Sequence, residues 1–84
     1  MILTPEILAC IRIWSMQNHI NVCIEYVFDD TTGKGFDMVF IFREPTYEKV
    51  WSERLNTEQL GLETRTMMQL VMDMMEKAEK ELVG

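Results

Sequence analysis

Ile20-Asn21-Val22-Cys23-Ile24-Glu25-Tyr26-Val27-Phe28 and Phe36-Asp37-Met38-Val39-Phe40-Ile41-Phe42-Arg43, joined by Asp29-Asp30-Thr31-Thr32-Gly33-Lys34-Gly35, decide the fold of this chain. In both stretches apolar residues recur at every second position, the signature of a β-strand with one face on a core. The linking segment is built of turn formers. A three-residue loop Thr31-Thr32-Gly33, with Gly33 in the left-handed region, closes an antiparallel hairpin. The register follows from the pattern: Phe28 faces Phe36, Tyr26 faces Met38, Ile24 faces Phe40 and Val22 faces Phe42. All eight side chains then share the even-numbered face, and a slip of one residue would set Asp37 among them. This row is expected to be core throughout. The odd-numbered face carries Cys23, Val27, Val39 and Ile41, which are too apolar for a wholly wetted surface.

Working outward from the hairpin, Thr4-Pro5-Glu6 reads as a helix start. Thr4 can cap, Pro5 suits the first helical position, and Glu6 meets the positive end of the helix dipole. A helix over about 5–17 follows. Ile7, Leu8, Cys10, Ile11, Ile13, Trp14 and Met16 cover more than one stripe of it, so it is expected to be either deeply buried or half of an interface. Asn18-His19 breaks it before the first strand.

After the hairpin, Glu44-Pro45-Thr46 reads as a turn. The segment 47–55 fits both periods: Tyr47, Val50, Trp51 and Leu55 at helical spacing, or Tyr47, Trp51 and Leu55 on one strand face. A third strand is expected, because a two-stranded hairpin alone is marginal and a wider sheet can carry two helices. Asn56 and Thr57 can cap the next helix, over about 58–83, with Gly61 weakening its second turn. In that helix Met67, Val71, Met74 and Ala78 form one row, and Met68, Met72, Met75 and Leu82 the adjacent one. Asp73 with Lys77 and Glu76 with Lys80 stand as ion pairs four residues apart.

The fold class is thus α+β: a single domain over residues 1–84 in the order α-β-β-β-α, with a three-stranded antiparallel sheet and both helices on its even-numbered face. A chain of 84 residues buries only about 60% of its unfolded surface, which makes association a reasonable expectation.

The net charge of −6 is spread evenly. Residues 1–44 hold six acids and three bases and residues 45–84 hold eight and five, so each part carries −3. Such a chain repels phosphate backbones, which argues against direct nucleic-acid binding and for a basic protein partner. No basic leader with a long apolar core is visible, and no apolar run is long enough to span a bilayer, so a reducing cytoplasm is the expected compartment. Cys10 and Cys23 are too few for a disulfide framework and are expected as buried small hydrophobes.

Motifs for chemistry are absent. Asp29 to Gly33 lacks the spaced oxygens and closing Glu of a calcium loop, and Gly33-Lys34-Gly35 is followed by Phe36 where a phosphate loop needs Ser or Thr before a helix. His19 is the one histidine, and no Cys-x-x-Cys occurs, so neither a metal nor a cofactor is expected, and catalysis is not expected either.

What remains is binding. Glu25, Asp29, Asp30 and Asp37 gather at one end of the hairpin beside Val39 and Ile41, a surface that could stand in for phosphates on a basic partner. The two methionine rows are together too wide for one shared sheet face. Met68, Met72 and Met75, or Trp14 and Trp51, are therefore expected to meet another chain. In size and charge the chain looks like the small accessory proteins of bacteriophages and mobile elements, among them inhibitors of host nucleases and of CRISPR effectors. That likeness implies a non-catalytic inhibitor that blocks a basic, nucleic-acid-binding surface. The alternative is a structural or regulatory homodimer, assembled through the Met-rich helix or the odd-numbered sheet face.

Overall fold

In a computed structural model, described over residues 3–28, 36–61 and 63–83, the order is α1 (Pro5–Asn18), β1 (Asn21–Phe28), β2 (Phe36–Glu44), β3 (Lys49–Leu55), α2 (Thr57–Leu60) and α3 (Thr64–Leu82). The strands form one antiparallel sheet in the order β1-β2-β3. This is the α+β arrangement expected, with the third strand present. The loop expected at Thr31-Thr32-Gly33 lies outside the described residues, as do Asp29 and Asp30.

Local chemistry sets each boundary. Thr4 Oγ1 accepts from the Ile7 N–H at 3.2 Å, and Pro5 opens α1. The helix ends on His19 in the left-handed region (φ 55°, ψ 41°), whose N–H returns to the Ser15 carbonyl. Ser15 Oγ then donates to the Ile20 carbonyl at 2.5 Å, which pins the start of β1. Between β2 and β3, the Glu44 carboxylate accepts from the N–H groups of Thr46 and Tyr47 at 2.8 and 2.7 Å. Glu48 completes that loop with φ 56°, so Tyr47 and Glu48, expected in the strand, belong to the turn. The helix expected over 58–83 is two pieces. Asn56 and Gln59 form a reciprocal capping box, both bonds 2.9 Å, and α2 stops at Gly61 before α3 begins.

The register is the one the alternation demands: Val22 opposite Phe42, Ile24 opposite Phe40, Tyr26 opposite Met38 and Phe28 opposite Phe36. Both helices lie on that even face, α3 over β2 and β3 and α1 beside it toward β1. Met38, Phe40 and Phe42 are buried against Met67, Val71, Met74 and Ala78, with Ile7, Ile11, Ile20 and Leu55 closing the core. Phe42 sits at its aromatic centre, 5.7 Å edge-on from Trp14, 5.6 Å from Trp51 and 6.5 Å from Phe40.

Four expectations need correction. The even face is not core throughout: Tyr26, Phe28 and Phe36 are 58, 52 and 52% exposed. Phe28 and Phe36 lie past Leu55, the last residue of β3, which stands opposite Met38, and Tyr26 lies on β1, away from α3, which packs on β2 and β3. α1 is not deeply buried; Ile7 and Ile11 face the core while Leu8, Ile13 and Met16 are exposed. Cys10 and Cys23 are exposed free thiols, not buried hydrophobes. And Lys77 reaches across to Glu53 of β3 at 3.6 Å instead of pairing with Asp73, whose carboxylate accepts from Gln69; the Glu76–Lys80 pair is present at 3.9 Å.

Candidate functional site

Two surfaces gather the binding residues that the sequence singles out. The first is a groove between α1 and α3. Residues 68, 72 and 75 follow one another at helical spacing along the α1-facing side of α3, one step round from the buried row of 67, 71, 74 and 78. Met75 is 6% exposed and belongs to the core, Met68 is half-buried, and Met72 is 51% exposed. Trp14, one turn beyond Ile11 on α1, supplies the opposite wall. Trp14, Met72 and Met75, with Gln69, Asp73, Glu76 and Glu79, line an open groove of 270 Å³.

Its floor is apolar and adaptable, since methionine side chains can rearrange around an incoming group. Its rim is acidic: Asp73, Glu76 and Glu79 stand on the exposed side of α3, and among the described residues Glu76 is the one of the three in an ion pair, with Lys80. The row of methionines is legible from the sequence. The role of Asp73, Glu76 and Glu79 is not, because the same helical period that exposes them gives no sign of what they border.

The second surface is the sheet face away from the helices. Val27, Val39 and Ile41 are half-buried there, and Cys23, Glu25, Arg43 and Arg54 are exposed. Asp37 is not the free carboxylate expected. Its side chain is 13% exposed and accepts from Arg54 Nε at 2.5 Å. Among the described residues this face therefore carries two acids, Glu25 and Asp37, and two bases, Arg43 and Arg54. An acidic surface standing in for phosphates is not what the described part of the face presents. Trp51, expected as a contact residue, is half-buried on the helix side against Phe42. The structure thus brings Trp14 together with Met72 and Met75, leaves Met68 half-buried outside the groove lining, puts Glu25 beside Val39 and Ile41, ties Asp37 to Arg54 and sets the half-buried Trp51 against Phe42.

Among the described residues, no group of three or more His, Cys, Asp or Glu is placed to hold a metal ion, and no helix is long and apolar enough to cross a membrane. No known family model matches the sequence, and no curated protein or solved structure shows significant similarity to it.

Proposed function

We propose that this chain is a non-catalytic protein-binding module that holds a basic amphipathic helix of a larger, nucleic-acid-binding protein in the α1–α3 groove and so blocks its basic surface. The observation that carries the reading is the pairing of an exposed Met72, with Trp14 and Met75 beside it, to the carboxylates of Asp73, Glu76 and Glu79. An apolar row at i, i+3, i+4 and i+7 on a partner helix would cover the floor. Lysines or arginines flanking that row would face the rim, and the overall charge of −6 would steer the encounter. An inhibitor of the kind that bacteriophages direct at nucleases or CRISPR effectors would work in this way, by occupying the residues that otherwise contact phosphate.

A synthetic helical peptide with a leucine stripe and lysine flanks is the probe, and its glutamate-flanked counterpart the control. Calorimetry is expected to show binding of the basic peptide alone, weakened by salt, with Trp14 emission shifting on binding. The basic peptide should also be displaced from duplex DNA by the protein. Equal binding of both peptides, or of neither, would sink the reading.

A further inference from the structure

We infer that the open sheet face binds a second copy of this chain, sheet against sheet, about a two-fold axis running along β2. The pairing of strands places three residues in one row across the sheet. Glu25 of β1 stands opposite Val39 of β2, and Val39 stands opposite Arg54 of β3. The row therefore reads acid, apolar, base. Rotation of a second sheet about an axis along the central strand lays its β3 over β1 of the first, so Glu25 meets Arg54 of the second copy and Arg54 meets its Glu25. Val39 and Ile41, on the axis, meet their own counterparts.

The next row, Cys23, Ile41 and Ser52, is uncharged. In the one after it, Asn21, Arg43 and Val50, the exposed Arg43 lies on the axis across from its own counterpart, a like-charge contact that the two Glu25–Arg54 pairs have to outweigh. Val50, 55% exposed on β3, is carried over the 250 Å³ depression that Asn21, Cys23, Ile41 and Arg43 form at β1 and β2. Aligned packing of two sheets at about 10 Å is an ordinary way to bury such faces. Charge favours this occupant over a basic one: in a chain of net −6, the described part of this face is the balanced surface, with Glu25 and Asp37 against Arg43 and Arg54. Copies that repel elsewhere are held here by the two symmetry-related Glu25–Arg54 pairs flanking Val39 and Ile41. Both helix layers then lie outside, and the two α1–α3 grooves remain open on opposite sides.

Sedimentation equilibrium of the full chain over a concentration series tests this. The expected mass is twice the 9.9 kDa of one chain. Glu25→Arg alone and Arg54→Glu alone should each sediment at the single-chain mass, and mixing the two should restore the double mass, because the mixed pair rebuilds both contacts. Ile41→Glu, which touches neither charge pair, should also give the single mass with an unchanged circular dichroism spectrum. A wild-type chain that stays at 9.9 kDa throughout, an Ile41→Glu variant that stays at double mass, or folded charge variants that fail to recombine would each overturn the proposal.

Discussion

Arg54 of β3 donates from Nε to Asp37 Oδ2 of β2 at 2.5 Å, two residues along β2 from Val39, the residue directly opposite it. This diagonal pair is lopsided: the arginine side chain is 52% exposed and the aspartate 13%. If the partner is lost, the guanidinium can turn to water, whereas the carboxylate cannot. Arg54→Ala is therefore expected to cost roughly 1–2 kcal/mol and Asp37→Ala under about 1 kcal/mol. Urea unfolding in the Ile41→Glu background, where association does not enter, measures the difference. Equal losses would show that the aspartate is solvated after all.

Phe40 and Phe36 occupy the same strand face four residues apart and have opposite surroundings. Phe40 is fully buried between α3 and the sheet, while Phe36 is half exposed and meets Phe28 edge-on at 5.4 Å. Phe40→Ala is expected to cost about 3–5 kcal/mol, enough to unfold a chain this short, through lost burial and the cavity left behind. Phe36→Ala should cost about 1 kcal/mol or less. Thermal melts of the two variants decide whether the core ends at Met38 as described.

Met74 and Met72 make the same contrast on α3. Met74 is 1% exposed and Met72 is 51%. Met74→Ala should destabilise by about 2–5 kcal/mol and Met72→Ala by under about 1 kcal/mol. Met72→Glu goes further: it should abolish capture of the lysine-flanked peptide while leaving the sedimentation mass untouched. A change of mass would move the interface between copies from the sheet to α3.

Glu44 links stability to acid. Burial by itself would raise its pKa, but the N–H groups of Tyr47 and Thr46, and Lys49 nearby, favour the carboxylate and together hold it below its ordinary value. A pKa lowered on folding means that the stabilisation is present above the unfolded value and is lost as pH falls through the folded one. The melting temperature should therefore fall in the acid range below about 4.5, and Glu44→Gln should flatten that part of the curve. An unaltered acid profile in the variant would show that the turn does not depend on the ionised form.

His19 pays a conformational penalty for ending α1. A side chain in the left-handed region costs roughly 1–2 kcal/mol that glycine avoids. His19→Gly should raise the melting temperature slightly, and a decrease would mean that the imidazole makes a contact of its own.

How far the sequence could be read depended on the range of the forces involved. Strand alternation, the Thr4 cap, the turn at Glu44 and the Met67 row are set by residues a few positions apart, so each was legible, and the hairpin register followed from alternation alone. The break at Gly61 was visible as a weak point, but not as the end of a helix, because the Asn56–Gln59 box that starts α2 as a separate turn also fits the start of one long helix. The third strand was a balance of two periods, decided by what the sheet needed and not by its own residues.

The sequence by itself determined which side chains share a face; only the tertiary structure decided which faces are covered. Tyr26 and Phe40 stand on one sheet face, yet Phe40 is buried and Tyr26 exposed, because α3 runs over β2 and β3 while Tyr26 stands on β1. Ile11 and Ile13 share a helix, and the packing of α1 beside α3 buries one and exposes the other. Asp37 lost its freedom to an arginine 17 residues away, and Met72 gained an acidic rim. Periodicity is a property of neighbours along the chain, whereas burial depends on where distant elements end and which side they approach from.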